Sequence, residues 1–250
     1  MKKKIQVNAS IIIIGNEILS GRTQDTNTSS IALWLNSLGV KVGEVRVIPD
    51  IEETIVSTIN KVRKRYTYVF TTGGIGPTHD DITAKSISKA FGLEYEIHKE
   101  AFKILENYYK PGEFNKGRQT MAWMPSKAKL ILNPTSGAPG FIVENVFCLP
   151  GVPTILKSML GGLNNEISGG EPILSFTINL NTVESEIAEP LKNVQNNNKE
   201  VEIGSYPFFK AGKLGVSIVI RSTDKSKIDY CTDQILDFVN KKKIEVITKN

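Results

Sequence analysis

A glycine-rich stretch between a predicted strand and a predicted helix constrains this chain more than any other part of its sequence. It reads TTGGIGPTHDD over residues 71–81, after the apolar run 66–70 and before the helical pattern 82–91. Glycine lets main-chain N–H groups approach an anion at the start of a helix, because it has no Cβ in the way. Two adjacent carboxylates at the same place favour a metal ion as the companion of a bound phosphate.

Strand and helix patterns alternate through the first part of the chain. Residues 11–14 form a short β-branched run, and residues 40–48 alternate as a strand does. Two further strands are predicted within 141–149, followed by a glycine-bearing turn at 150–153. The alternation predicts an α/β fold with a mostly parallel sheet, and a ligand site at the carboxyl ends of its strands.

The pattern changes after a short segment rich in glycine. Residues 168–172 read SGGEP, which is typical of a linker. Beyond it the predicted order is strand, helix, strand, strand, helix, which indicates a small α+β domain. The sequence therefore predicts one α/β domain over residues 1–168 and a second, smaller α+β domain over residues 173–250.

Composition limits the class of protein. The chain has 250 residues, 40% of them hydrophobic, and carries a formal net charge of +5. Nucleic-acid binding is one interpretation of that charge, but the lysines are spread along the chain without interleaved aromatic residues, so no nucleic-acid partner is expected. Two cysteines indicate a reducing compartment, and no apolar run reaches membrane-spanning length. We expect a cytoplasmic protein without a membrane partner.

Several short motifs together resemble the molybdopterin-binding (MoaB/Mog) domain family, and within it the CinA-type branch. The motifs are IGNEILSG at 14–21, DTN at 25–27, the glycine-rich stretch at 71–81 and PGVP at 150–153. The run TQDTNT at 23–28 is also similar to the N-terminal domain of eukaryotic FAD synthase. The resemblance implies a three-layer α/β domain and a homo-oligomer, a dimer or a trimer. It further implies a small-molecule ligand, either a nucleotide or a pterin phosphate such as molybdopterin.

Acidic residues carry the chemistry that the resemblance implies. Asp81 matches the acidic residue at the end of the family's glycine loop, with a proposed role as metal ligand and catalytic group, and Asp80 is a candidate second ligand. Asp50 and Glu17 are further catalytic candidates. Three of the four have a simpler interpretation: Asp81 as a carboxylate serving the helix dipole, Asp80 as a solvated neighbour, and Asp50 as an N-cap paired with Glu53.

Binding of the ligand is assigned to turn residues that follow predicted strands, although plain turn formation explains glycine and proline there equally well. The candidates are Gly15, Asn16, Thr72, Gly73, Gly74, Gly76, Ser136, Gly137, Pro150 and Gly151. Asn16 departs from the family, where aspartate is usual at this position. Asparagine loses a charge and a hard ligand, which weakens the case for metal binding.

The resemblance, together with the glycine loop and the acidic pair, thus implies a metal-dependent pyrophosphatase acting on a dinucleotide such as FAD or ADP-ribose, with Mg²⁺, Mn²⁺ or Co²⁺ as cofactor. A protein that binds molybdopterin or a nucleotide without turnover, or that adenylylates molybdopterin, is the alternative. A regulatory or assembly role is a third hypothesis, which no residue pattern supports.

Overall fold

The computed structural model describes residues 7–210 and 212–249. The chain divides into two compact units, Met1–Gly170 and Glu171–Asn250. The boundary falls within the glycine-rich segment 168–172. Each unit has its own hydrophobic core, and we describe each by itself.

The first unit alternates strands and helices, as the sequence predicts. Its strands are β1 Asn8–Ile14, β2 Lys41–Ile48, β3 Tyr68–Thr72, β4 Tyr95–Ile97, β5 Trp123–Pro125, β6 Lys129–Ile131, β7 Gly140–Val143 and β8 Val146–Leu149. Its helices are α1 Asn16–Leu19, α2 Asn27–Ser37, α3 Glu52–Val62, α4 Thr83–Phe91, α5 Lys99–Tyr108, α6 Lys116–Gln119 and α7 Pro153–Leu160, with 3₁₀ turns at Thr120–Ala122 and Gly161–Glu166.

A mostly parallel sheet lies at the centre of this unit. Its strand order is β2-β1-β3-β8-β7-β6. Strands β1, β2, β3 and β8 run parallel, whereas β7 is antiparallel to both of its neighbours. The carboxyl ends of the parallel strands, at Ile14, Ile48, Thr72 and Leu149, therefore share one edge of the sheet, and β7 begins there. The loops that follow these strands must meet along this edge.

Helices cover both faces of the sheet, which confirms the three-layer α/β fold. Ile11 and Ile13 of β1 pack with Ile31 of α2 on one face. Ile12 and Ile14 pack with residues of α3 and α4 on the other. Because successive strand residues point to opposite faces, a strand covered on both sides needs an unbroken apolar run, and residues 11–14 supply it.

The second unit is an antiparallel sheet with helices. It contains β9 Leu174–Asn181, α8 Glu184–Asn197, β10 Glu202–Lys210, β11 Lys213–Ser222, α9 Lys225–Lys241 and β12 Glu245–Lys249, with the strand order β10-β11-β9-β12. The predicted strand–helix–strand–strand–helix order is present. Strand β12 was not predicted, because its pairing partner β9 lies far away in the sequence and its own residues alternate weakly.

Neither unit contains a membrane-spanning helix in the described ranges, where every helix is too short or too polar to cross a lipid bilayer.

Both cysteines are buried free thiols, Cys148 in β8 and Cys231 in α9. Burial raises the pKa of the Cys148 thiol to about 12 and also raises that of Cys231. Because the thiolate is the reactive form, we expect the native protein to react slowly with a thiol-specific disulfide reagent at pH 7 and no faster at pH 9. Unfolding in denaturant should expose two reactive thiols. Rapid labelling of native protein would contradict this burial.

Candidate functional site

The loops at the carboxyl edge of the parallel strands surround a cleft of about 540 Å³. The glycine-rich stretch after β3 forms one wall, and the turn after β8 with the loop before β7 forms another. Predicted site residues that line the cleft are Glu17, Asp50, Gly73, Gly74, Gly76, Asp80, Asp81, Ser136, Pro150 and Gly151. The sheet topology therefore brings together residues that are far apart in the sequence.

Gly73 stands where the ends of three strands come closest. Its N–H donates to the carbonyl oxygen of Leu149 at 3.1 Å. A Cβ at this position would lie 2.1 Å from the carbonyl oxygen of Ile14, and its φ of +97° belongs to the region that favours glycine. Thr83 fixes the loop from behind, since its hydroxyl donates to the Gly73 carbonyl oxygen at 3.0 Å. Glycine is therefore required at position 73.

Main-chain donors line the next part of the loop. Among the hydrogen bonds of the described residues, the N–H groups of Gly74, Ile75 and Gly76 have no protein acceptor. All three residues are partly exposed and line the cleft. Successive free N–H groups in a glycine loop form an anion-binding concavity. These three N–H groups are therefore the donors that an anion bound at this loop would meet.

Asp81 is held beside these donors by its own turn. One carboxylate oxygen, Oδ2, accepts from the Thr78 N–H at 2.8 Å and also from the Thr78 hydroxyl. Its other oxygen accepts no hydrogen bond from the described residues. A Cβ at Gly76 would lie 2.7 Å from Oδ2, so glycine there gives the carboxylate its space. Asp81 thus keeps one free oxygen at the cleft.

Asp80 is more exposed than Asp81, with 67% of its side chain accessible. The nearby Thr78 hydroxyl, whose proton goes to Asp81, and to a lesser extent a main-chain hydrogen bond hold the pKa of Asp80 below its usual value. The carboxylate is therefore charged at neutral pH. His79 lies 4.0 Å from it and is almost completely exposed.

Asp50 does not cap α3, contrary to the simpler interpretation of its spacing from Glu53. Helix α3 begins at Glu52, and its N-cap residue, Ile51, makes no side-chain capping bond. The Asp50 Oδ2 atom instead accepts from the main-chain N–H of Asn16 at 2.8 Å. Asp50 therefore joins the loops after β1 and β2 at the cleft.

Glu17 folds back over the turn after β1. Its carboxylate lies so close to Gly15 that a Cβ at residue 15 would be 2.5 Å from Oε1. Gly15 is buried, and its N–H donates to the Ile48 carbonyl oxygen. The structure thus places the Glu17 side chain at the cleft and gives Gly15 a supporting position beneath it.

Asn133 shapes the opposite wall and was not predicted as a site residue. Its Oδ1 accepts from the N–H groups of Thr135 and Ser136, and its Nδ2 donates to the Ser136 hydroxyl and to the Ala138 carbonyl oxygen. Gly137 does not line the cleft, and a Cβ at this position would lie 2.5 Å from the ring of Tyr108. Asn133 therefore holds the loop that presents Ser136.

The turn after β8 is fixed by Asn27 at the start of α2. The Asn27 Nδ2 donates to the Gly151 carbonyl oxygen at 2.8 Å, while the Asp25 carboxylate accepts from the N–H groups of Asn27 and Thr28.

The hydroxyl of Thr72 is buried without a partner among the described residues. Thr72 lines a small pocket of about 50 Å³ beside the main cleft.

Four predicted binding residues thus do not line the main cleft: Gly15, Asn16, Thr72 and Gly137. Residues that line it without having been predicted are Ile14, Thr23, Ile75, Pro77, Met121, Asn133, Ala138, Pro139, Val152, Pro153 and Ile155. Thr23 and Val152 lie within motifs already singled out from the sequence. Met121 comes from a segment to which the sequence analysis assigned no role.

The carboxylates of the cleft suit a cation that also binds water and phosphate better than one bound by protein ligands alone. Within residues 7–210 and 212–249, no three histidine, cysteine, aspartate or glutamate residues cluster tightly enough to hold a metal by themselves. The free oxygen of Asp81 and the exposed carboxylate of Asp80 suit a hard cation that takes its other ligands from water and phosphate. Mg²⁺ commonly binds in this way, through one or two carboxylates and substrate phosphates.

The sequence pattern of a protein family described as "Probable molybdopterin binding domain" matches residues 10–168, which include the whole cleft. The chain belongs to this family. A second pattern, described as "FAD synthase, middle domain", matches residues 172–247, which lie in the second unit.

The chain also has relatives that match it along most of its length. A protein of Archaeoglobus fulgidus is 35% identical over 93% of this chain and 98% of its own length. A protein of Sulfolobus acidocaldarius is 33% identical over 92% of both chains. The crystal structure of the protein CinA from Thermoplasma acidophilum matches with a TM-score of 0.60 at 32% identity, over 64% of this chain and 96% of that one. The chain thus fits the CinA-type branch of the molybdopterin-binding family.

Proposed function

We propose that this member of the molybdopterin-binding family is a metal-dependent pyrophosphatase that cleaves a dinucleotide such as FAD or ADP-ribose. One observation carries the proposal: the free N–H groups of Gly74, Ile75 and Gly76 stand beside a carboxylate, Asp81, that keeps one oxygen uncommitted. Main-chain donors bind the non-bridging oxygens of a phosphate, and the carboxylate beside them supplies the ligand for a cation.

Different groups of the cleft would bind the cation, stabilise the phosphate charge and accept a proton. Asp81 and Asp80 would hold a divalent cation (Mg²⁺, Mn²⁺ or Co²⁺), which neutralises pyrophosphate charge and lowers the pKa of water when it is bound. The loop N–H groups stabilise charge that develops on the phosphoryl oxygens. Asp50 and Glu17 reach the cleft from the loops after β1 and β2, where a carboxylate accepts the proton of an attacking water.

FAD is the first substrate to try. The second unit resembles the middle domain of FAD synthase, and the cleft of about 540 Å³ has the volume of an ordinary small-molecule site. Pyrophosphate is the part of FAD that the loop donors and the carboxylates suit. ADP-ribose shares the same linkage with a smaller second half.

Binding of molybdopterin or a nucleotide without turnover is a second candidate function. It is favoured by Asn16, whose amide offers no charge, and by the lack of a three-carboxylate cluster in the described part of the chain. The same loop donors would then hold the ligand phosphate. The two functions differ in whether product forms.

Turnover of a substrate panel separates these functions. We expect purified protein to cleave FAD, ADP-ribose or NAD at the pyrophosphate when Mg²⁺, Mn²⁺ or Co²⁺ is present, and to lose activity when a chelator is added. Products are resolved by chromatography, with FMN and AMP expected from FAD. Saturable binding of these compounds without product would overturn the hydrolase and favour the binding protein.

A further inference from the structure

A second chamber adjoins the cleft on the far side of the glycine loop. Its volume is about 270 Å³, half that of the cleft. The two spaces share Ile75, Gly76, Asp81, Met121 and Pro139 as lining residues. The part of the loop at Ile75 and Gly76, with the Asp81 carboxylate, therefore forms a ridge between two adjacent spaces.

Aromatic side chains form one wall of this chamber. Tyr95 of β4 and Trp123 of β5 have ring centroids 5.4 Å apart, and both line the space. Their positions are fixed by the antiparallel pairing of β4 with β5. Trp123 keeps 37% of its surface exposed, although it is large and apolar. An exposed tryptophan beside a concave space is a surface on which a flat ring stacks.

The rest of the lining suits a nitrogen heterocycle. Met121 and Met124 supply polarisable contacts, which adapt to the edge of an aromatic ring. The hydroxyl protons of Thr78 and Thr120 go to the Asp81 carboxylate and the Gly117 carbonyl oxygen, so each hydroxyl oxygen still offers lone pairs as an acceptor. Lys85, which pairs with Glu52 at 3.6 Å, places a positive charge at the same wall. A flat ring with N–H groups at its edge suits both the polarisable contacts and these acceptors.

We propose that this chamber binds one heteroaromatic ring, adenine, flavin or pterin, of a ligand whose pyrophosphate lies at the ridge formed by Gly76 and Asp81. The ligand then straddles the glycine loop, with its other half in the larger cleft. The position of the pyrophosphate in this inference rests on the proposed function. Binding of the ring at Trp123 does not, because it can be measured without any turnover.

Tryptophan fluorescence reports on this chamber directly. The chain has two tryptophans, Trp34 and Trp123, so a Trp34→Phe variant leaves Trp123 as the single emitter. Trp34 packs edge-on against Phe70 and is not a lining residue of the chamber, and phenylalanine keeps that apolar contact. We expect AMP or FMN to quench Trp123 saturably, and ribose 5-phosphate, which lacks a ring, to leave the emission unchanged.

Substitution of Trp123 completes the test. Trp123→Ala should weaken binding of the quenching mononucleotide and of FAD by roughly tenfold in calorimetry, because base–aromatic stacking is lost. Trp123→Phe should restore most of the affinity and guards against misfolding of the alanine variant. Tyr230→Ala, an exposed aromatic of the second unit, is the matched control and should bind normally.

Each outcome decides the inference. Unquenched Trp123 with AMP and FMN, or full affinity in Trp123→Ala, would overturn ring binding in this chamber. If cleavage of FAD occurs while Trp123→Ala retains wild-type affinity, the pyrophosphatase stands and the ring site falls. If quenching is saturable but no substrate is cleaved, the ring site stands and the pyrophosphatase falls.

Discussion

Asp81→Asn is expected to lower the turnover of FAD or ADP-ribose by roughly 100-fold or more, because the variant loses the charge that binds the cation. Asparagine keeps an oxygen that accepts from the Thr78 N–H, so the turn and the loop should stay folded. Alanine would remove that acceptor and confuse a catalytic effect with a structural one. The measurement is kcat and KM over a series of metal concentrations.

A matched substitution separates this effect from a general change of surface charge. Asp229 is exposed on α9 in the second unit and is not a lining residue of the cleft, so Asp229→Asn removes the same charge from a residue outside the site. We expect it to have wild-type kinetics. An Asp81→Asn variant with wild-type kcat at saturating metal would exclude Asp81 from the reaction and reassign the chemistry to Asp50 or Glu17.

Gly73→Ala is expected to destabilise the first unit by about 2–4 kcal/mol. The new methyl group would lie 2.1 Å from the Ile14 carbonyl oxygen, and an L-residue is strained at a φ of +97°. Either the loop or the end of β1 must move to accommodate it. Because Trp34 and Trp123 both belong to the first unit, tryptophan fluorescence in a urea titration follows the unfolding of that unit alone.

Gly161→Ala is the control for this effect. Position 161 has open space where the methyl group would go, and its φ is −59°, which any L-residue adopts. We expect its stability to stay within about 0.5 kcal/mol of the wild type. Equal urea midpoints for Gly73→Ala and wild type would contradict this prediction. They would mean that the loop accommodates the methyl group without any loss of unfolding free energy.

The hydrophobic patterns of the first unit predicted its fold because they are local. An unbroken apolar run at 11–14 requires cover on both faces, and the structure gives it that cover. Gly92 ends α4 in the left-handed conformation, as its position after the helical pattern indicates. Strands β4 and β5 were not predicted, because three-residue strands carry too few positions to show alternation.

The sequence alone was enough to locate the part of the site that main-chain groups form. It was not enough for the side chains whose contacts come from distant segments of the chain. The spacing of glycines at 73, 74 and 76 located the loop with free N–H groups. Asp50 was assigned an alternative role as a cap, since the capping pattern is local, whereas the Asn16 N–H that it accepts comes from a neighbouring strand end. The surroundings of Gly137 were hidden for a related reason: a Cβ there would meet Tyr108, on a helix well before it in the chain.

The free donors of the glycine loop belong to peptide groups, which do not ionise near neutral pH. The carboxylates around the cleft do ionise, and so does a terminal phosphate, which loses its second proton at about pH 6. The pyrophosphate linkage of a dinucleotide has no such proton, so its attraction to the loop is constant from mildly acidic to mildly alkaline solution. A change of affinity for such a ligand with acidity would report on the ionisable side chains of the cleft, so a titration distinguishes what the backbone contributes from what the side chains contribute.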